Sequence, residues 1–224
     1  MFSPTVWKMI RMAGSTPDQL IRRIIVAILT GNLPDEYRAD AATLLTDALH
    51  YAEDDIRSLV ILGLSELDVE PEIILPALTG AIHDSNEGVR KRAIRTLGDM
   101  GSRASLSMSH LISALTDSSM SVVLEAMNTI GRIGKRAETA IPSLVRLLGH
   151  ENTRVRIVAG NVLKQIGDAA IPALNKALAD KDALRSERAA AVLWRLGKLE
   201  ESEYEQYFQV EETQPERSLL ECMN

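Results

Sequence analysis

The sequence predicts an all-α fold made of stacked helical pairs, and three observations support that prediction. Aromatic residues make up 4% of the 224 residues while 46% are hydrophobic, which favours helices packed through Ala and Leu over a β-sheet. A pattern of 13 residues recurs about every 33 residues. A shorter apolar segment precedes each copy, and a pair of helices this small must stack on its neighbours to bury its apolar face.

The recurring pattern marks the second helix of each pair. The copies are IRSLVILGLSELD at 56–68, VRKRAIRTLGDMG at 89–101, VVLEAMNTIGRIG at 122–134, VRIVAGNVLKQIG at 155–167 and RSERAAAVLWRLG at 185–197. Apolar residues at the first, fifth, ninth and twelfth positions form one stripe of a helix, which predicts a buried face. The fifth position is Ala93, Ala126, Ala159 and Ala189 in four copies. These small residues predict that neighbouring second helices approach closely there.

The first helices are predicted within 44–51, 74–84, 111–117, 141–150 and 171–180. Pro76, Pro142 and Pro172 occupy equivalent places, which we assign to the first helical turn, where proline is tolerated. The polar residues after each first helix suit a turn and a new N-cap. The glycine that closes each second helix suits a C-cap in the left-handed conformation, so the glycines of Gly98–Gly101 are interpreted as helix ends rather than as a phosphate-binding loop.

The two ends of the chain depart from the repeat. Residues 1–34 are interpreted as a degenerate N-terminal helical pair that caps the regular repeats of 35–198, with Trp7, Ile10 and Leu29 among its apolar contacts. Residues 199–224 are interpreted as an acidic tail or capping segment, because residues 200–224 carry eight glutamates against one arginine. The rest of the chain holds 24 basic and 23 acidic residues, so it is close to neutral.

The order Pro-x-Leu, then Asp, then Val-Arg-x-x-Ala-x-x-x-Leu-Gly-x-x-Gly resembles HEAT repeats, in particular the short bacterial type also found in phycobilisome lyases. The resemblance covers roughly residues 43–198. It implies a right-handed α-solenoid, a superhelix of about six helical pairs, in which the second helices line the concave side. It also implies an interaction scaffold rather than an enzyme.

Few residues suggest chemistry. HEAT-like hydroxylases bind iron through repeated His-Glu pairs, and this chain has one such pair, His150-Glu151. His50 and His83 lie 33 residues apart and are interpreted as surface histidines, because two ligands fall short of a metal site. Cys222 has no partner base and forms no intrachain disulfide, since it is the single cysteine. We therefore predict no catalytic residue, no metal and no cofactor.

The exposed side of the second helices is the predicted binding face. Asn128 and Asn161 are equivalent residues that suit a ladder of amides along the backbone of a bound peptide. Leu124, Ile157 and Val158 are expected to be exposed apolar residues beside them. The predicted binding residues are Arg92, Arg95, Leu124, Glu125, Asn128, Arg132, Arg154, Ile157, Val158, Asn161, Gln165, Arg188 and Arg195.

The sequence predicts a non-enzymatic scaffold that binds a protein or peptide segment on its concave face. The chain's own acidic tail is a second possible occupant, because it combines glutamates with Tyr204, Tyr207 and Phe208. Two alternatives stay open: an enzyme subunit of the phycobilin-lyase type, and a HEAT-like nucleic-acid-binding protein, against which the near-neutral body argues. A membrane partner is not predicted, and the absence of a signal-like segment leads us to expect a cytoplasmic location.

Overall fold

The computed structural model describes residues 17–50, 52–67 and 69–207, and these residues form helices without any β-strand. Two compact units divide the chain, residues 1–137 and residues 138–224. The prediction of an all-α fold of repeated helical pairs is confirmed. The predicted contacts of Trp7 and Ile10 and the segment from Phe208 onwards lie outside the described residues.

The first unit holds seven described α-helices in two layers. They are α1 (Pro17–Leu29), α2 (Arg38–Ala48), α3 (Asp54–Glu66), α4 (Pro71–Ala81), α5 (Glu87–Asp99), α6 (Met108–Ser113) and α7 (Met120–Ile133), with 3₁₀ segments at Asp35–Tyr37, Gly101–Ser107 and Ala114–Thr116. The second helices α1, α3, α5 and α7 pack side by side in that order. The first helix α2 packs on α4, and α4 packs on the 3₁₀ segment before α6.

The second unit repeats this arrangement with five described α-helices. They are α8 (Ile141–Leu147), α9 (Thr153–Ile166), α10 (Ile171–Leu178), α11 (Ala183–Arg195) and the short α12 (Glu201–Glu205), with a 3₁₀ segment at Gly167–Ala170. The 3₁₀ segment Gly134–Ala140 precedes α8. The second helices α9 and α11 pack together, as do the first helices α8 and α10, and α12 packs against α11.

The apolar stripe of the second helices forms the core of both units, as predicted. Its buried members are Ile56, Val60, Leu64, Leu67, Val89, Ala93, Leu97, Val122, Ala126, Ile130, Ile133, Val155, Ala159, Leu163, Ile166, Ala189 and Leu193. Met100 and Leu196 are half-buried instead, because each is the residue that follows the last turn of its helix. At the fifth position Ala126 is fully buried, in accord with a close approach of helices.

The helix ends follow the predicted chemistry. The side chains of Asn86, Asn152 and Asp182 accept hydrogen bonds from backbone N–H groups in the first turns of α5, α9 and α11. Because these N–H groups have no partner within the helix, such caps stabilise the helix start. The closing residues Gly101, Gly134, Gly167 and Gly197 all have positive φ angles between 58° and 84°, the left-handed conformation that glycine adopts at low cost.

Gly98 corrects one interpretation, because it is not a helix end. It lies inside α5, where a Cβ atom would stand 2.8 Å from both Thr129 Oγ1 and Arg132 Nη1 of α7. Gly98 is buried, and it leaves room for the side chains of the neighbouring helix. It is therefore a packing glycine, and only Gly101 of that pair ends the helix.

Two further predictions about helix ends are wrong. Pro142 and Pro172 occupy the first turns of α8 and α10, but Pro76 lies inside α4, which already begins at Pro71. The start moves because the segment before α4 has no closing glycine, whereas glycine-led 3₁₀ segments delay the starts of α8 and α10. Leu29, predicted as an apolar contact, is 48% exposed at the end of α1.

Arginines of the second helices tie neighbouring repeats together in the first unit. Arg57 of α3 donates two hydrogen bonds to the Asp84 carboxylate, each 2.6 Å long. Arg90 of α5 does the same with Asp117, at 2.8 Å for each bond. All four side chains are at most 13% exposed, and we call these two pairs the arginine ladder. The ladder expected from the sequence is thus present at Arg57 and Arg90.

The equivalent Arg156 in the second unit differs. Its guanidinium donates to the backbone carbonyls of His150 and Glu151 and to Thr153 Oγ1, each at 2.9 Å. His150 stands where the two earlier repeats carry Asp84 and Asp117. Arg156 therefore holds the loop of its own repeat together.

Candidate functional site

The predicted binding face of the first unit lies on the second helices α3, α5 and α7, on the side away from the first helices. Arg92 and Arg95 come from α5, while Leu124, Glu125, Asn128 and Arg132 come from α7. They share a side because they are spaced three or four residues apart along each helix. We call this surface the second-helix face of the first unit.

Several charges on this face neutralise each other. Arg95 donates to both Glu125 carboxylate oxygens, at 3.2 and 2.9 Å, and Arg132 donates to Asp99 at 2.7 Å. The hydrogen bond to Glu125, together with the attraction of that carboxylate, raises the pKa of Arg95 above its ordinary value. These pairs link α5 to α7, so they stabilise the packing of neighbouring repeats before any partner binds.

Glu125 departs from the expectation that it is open to a partner. Its residue is 8% exposed, because the Arg95 guanidinium lies across its carboxylate. A buried carboxylate already satisfied by an arginine gains little from a new partner. Glu125 is thus a structural residue of this face.

The residues that stay accessible are mixed in chemistry. Arg92 is exposed, and its Nε donates to Ser58 Oγ at 2.8 Å without an acidic partner among the described residues. Asn128 is exposed and makes no side-chain hydrogen bond within the described part of the chain. Leu124 is half-buried, so it is less open than predicted.

Two residues of this face were missed in the sequence. Leu59 and Leu62 of α3 are half-buried and occupy the positions equivalent to Arg92 and Arg95. The repeat alignment could have found them, because 59 and 62 lie one period of 33 before 92 and 95. They make the α3 end of the face apolar beside the charged α5.

The second unit has its own face on α9 and α11. Arg154 and Gln165 are exposed, whereas Ile157 and Val158 are half-buried. Asn161 is half-buried as well, and its Oδ1 accepts a hydrogen bond of 3.4 Å from the guanidinium of Arg195. The two asparagines of the predicted ladder therefore differ, because Asn161 is already engaged within its own unit.

Arg188 also departs from the prediction of an open binding residue. It is 6% exposed, and its guanidinium lies 4.0 Å from the Glu187 carboxylate. A cation that is this buried must already be paired within the fold, because a buried charge without a partner is costly. We assign Arg188 to the packing of α11.

The start of the acidic tail caps the last repeat. Tyr204 of α12 stacks on Trp194 of α11, with ring centroids 5.0 Å apart and planes 15° apart. A backbone N–H at the start of α12 is capped by Glu203, and Glu200 returns the bond in a capping box. This contact supports capping for residues 200–207, and Tyr207 is half-buried in the same segment.

The histidines are arranged differently from the interpretation of His50 and His83 as a register pair. His83, exposed after α4, faces His110 of α6, and their ring centroids are 5.6 Å apart with planes tilted by 58°. Within the described residues, no group of three or more His, Cys, Asp or Glu side chains is placed to hold a metal ion.

One small cavity lies in the first unit between the end of α3 and the 3₁₀ segment after α5. Its volume is about 290 Å³, and its apolar lining comes from Leu67, Val69, Pro71, Ile74 and Met100. Ser65, Glu66 and Arg103 complete it. This volume lies at the lower limit of pockets that hold small ligands.

None of the described helices is long and apolar enough to cross a membrane. This holds for every described helix of both units.

Comparison with known proteins identifies the repeat. The family profile for HEAT repeats matches residues 42–108 and 108–194, which is more than half of the chain. The chain is a HEAT-repeat protein. No curated protein sequence matches it significantly, and the bacterial, phycobilisome-lyase type of repeat stays a prediction.

Solved structures share the HEAT-like fold. An archaeal HEAT-like repeats protein from Thermococcus onnurineus aligns over 93% of this chain and 95% of its own, with 17% identity and a TM-score of 0.50. Two engineered proteins align at 18% identity, over 84% and 80% of this chain, with TM-scores of 0.53 and 0.50. The alignment spans 57% of the first engineered protein and 90% of the second. At this identity the similarity concerns the fold, which is that of a repeat scaffold.

Proposed function

We propose that this HEAT-repeat protein is a non-enzymatic interaction scaffold that binds a protein segment on its second-helix faces. In the first unit the bound segment lies across α3, α5 and α7. The observation that carries the proposal is the exposure on one face of groups that the fold does not use. Arg92 lacks an acidic partner and Asn128 lacks a hydrogen bond among the described residues.

The chemistry of these groups describes the partner. Leu59, Leu62 and Leu124 are half-buried, so each presents part of its side chain to a bound apolar residue. Arg92 offers a guanidinium to a carboxylate, and the Asn128 amide offers both a donor and an acceptor to a peptide backbone. The partner is therefore an amphipathic segment that carries Leu-like and acidic side chains.

The face of the second unit offers a weaker grip. Ile157 and Val158 supply partly open apolar surface and Arg154 supplies an exposed cation. Asn161 must release its hydrogen bond to Arg195 before it pairs with a peptide. We therefore assign the larger share of binding to the first unit.

A displayed library of random peptides tests the proposal. Selection on the immobilised full-length chain should enrich segments that combine leucine with glutamate or aspartate. Arg92→Glu should lower the binding of the enriched peptides at least about tenfold, because it replaces attraction with repulsion at a desolvated contact. Asn128→Ala should weaken binding more than Asn161→Ala does.

Arg136→Glu is the matched control for the charge change. Arg136 is exposed in the 3₁₀ segment after α7, away from the second-helix face, so its reversal should leave peptide binding unchanged. Thermal melting of all variants checks that the fold is retained. Equal losses from Arg92→Glu and Arg136→Glu would show a general effect of net charge and would contradict this site.

A further inference from the structure

We infer that His83 and His110 together form a binding site for a divalent transition-metal ion such as Zn²⁺. The site joins neighbouring repeats on the first-helix side of the first unit, because His83 follows α4 and His110 belongs to α6. It is separate from the second-helix face. The inference is therefore independent of the proposed binding function.

The spacing of the two rings suits a shared ion. Metal–nitrogen bonds to histidine are about 2.0–2.1 Å long, so two imidazoles in tetrahedral coordination place their ring centroids about 5.2 Å apart. The observed separation is 5.6 Å, with the rings tilted by 58°. A displacement of a few tenths of an ångström, which an exposed side chain makes by a small rotation, brings the two values together.

Ring nitrogens are available at both residues. The Nδ1 of His110 lies 3.3 Å from Ser109 Oγ, so its Nε2 is left for a ligand. A partner on the second ring nitrogen is the arrangement that orients metal-binding histidines. His83 is exposed and makes no side-chain hydrogen bond to any described residue.

Water must complete the coordination. The nearest carboxylate in sequence, Asp84, accepts two hydrogen bonds from Arg57, and the described residues provide no cluster of three ligands. Structural zinc sites are closed by four protein ligands. Two imidazoles with water instead make an open site from which the ion exchanges readily and at which a ligand from another molecule has room to bind.

Bound metal would fasten one repeat to the next. The ion binds the folded chain, in which the two rings are adjacent, better than the unfolded chain, in which 27 residues separate them. It therefore raises the melting temperature in proportion to its free concentration. Its affinity falls as the pH decreases, because protonated imidazole cannot bind a metal.

Titration calorimetry with Zn²⁺ tests the site in the full-length chain. A Cys222→Ser background removes the thiol, which is a competing zinc ligand. We expect one ion per chain, and a dissociation constant at least about tenfold weaker after His83→Ala or His110→Ala, because either change removes the chelate. The two changes combined should add little to either alone.

His50→Ala is the matched control. His50 is exposed at the position one repeat before His83, and it has no neighbouring histidine ring among the described residues. Its removal should leave the affinity for Zn²⁺ unchanged. If His110→Ala lowers the helical circular-dichroism signal, His83→Ala decides the outcome alone. Unchanged Zn²⁺ affinity in His83→Ala, or an equal loss in His50→Ala, would overturn the inference.

Discussion

Replacing Gly98 with alanine should destabilise the first unit, although glycine inside a helix is normally a liability. In an exposed helix the change from glycine to alanine gains about 1 kcal/mol, because alanine loses less backbone entropy on folding. At Gly98 the new Cβ would stand 2.8 Å from Thr129 Oγ1. Real Cβ contacts are longer than this, so α5 and α7 must move apart.

The size of the effect follows from the neighbour that has to yield. Arg132 also lies 2.8 Å from the new Cβ, but the end of its long side chain can rotate away. Thr129 cannot, because it is fully buried and donates a hydrogen bond of 3.0 Å to the Ile94 carbonyl. Overpacking of this kind costs about 1–3 kcal/mol. After the gain in helix propensity, we expect a net loss of about 1 kcal/mol.

Gly80→Ala is the matched control, since Gly80 lies in α4 with no atom within 4 Å of its added Cβ. It should stabilise the chain by about 0.4–1 kcal/mol. Urea and thermal denaturation of both variants give the comparison, and each kcal/mol corresponds to about 2–4 °C in a chain of this size. The opposite signs are the prediction.

A double-mutant cycle locates the cause. Thr129→Ala removes the atoms that crowd the new methyl group, so Gly98→Ala should cost less in that background, by about 0.5–2 kcal/mol. A Gly98→Ala chain that melts at or above the wild-type temperature would refute the close approach of α5 and α7. So would a cycle without coupling.

Two further changes test the core and the arginine ladder. Ala126→Leu should cost about 1–3 kcal/mol by overpacking a fully buried position, and an unchanged melting temperature would count against the packing of the second helices. Asp117→Asn should cost about 2–4 kcal/mol at neutral pH, because it leaves the Arg90 guanidinium without its carboxylate. Burial alone would raise the pKa of the Asp117 carboxyl, but hydrogen bonds from Arg90 and the Ser119 N–H and the charge of Arg90 hold it below its ordinary value. A depressed pKa stabilises the fold above the pKa of the unfolded chain, about 3.9. That stabilisation is lost as the pH falls through the lower folded value, so acid unfolding followed by circular dichroism should depend less steeply on pH in Asp117→Asn than in the wild type.

The fold was predictable because a repeated sequence states each structural requirement several times. The apolar stripe and the closing glycines recur at equal spacing, and one alignment places them all. Gly98 shows the limit of this reasoning. The sequence shows a glycine near a helix end, but its role depends on the side chains of α7, which are close in space and about 30 residues away.

The binding face was predictable in position and less so in chemistry. Helical spacing places Arg95 and Glu125 on one side, yet the choice between an open charge and a satisfied pair depends on contacts between helices. For Glu125 the contact with Arg95 buries the carboxylate. The pairing of His83 with His110 was unpredictable for a similar reason, because the two residues hold different positions in the repeat.

The arginine ladder has a consequence for how the first unit unfolds. The stability of a repeat array is approximately the sum of the intrinsic stability of each repeat and the coupling between neighbours. Arg57–Asp84 and Arg90–Asp117 cross from one repeat to the loop of the next, so their free energy belongs to the coupling. Strong coupling makes unfolding cooperative, whereas weak coupling lets an array fray from its ends. The backbone amides of α3, α5 and α7 should therefore exchange with solvent as one block rather than repeat by repeat.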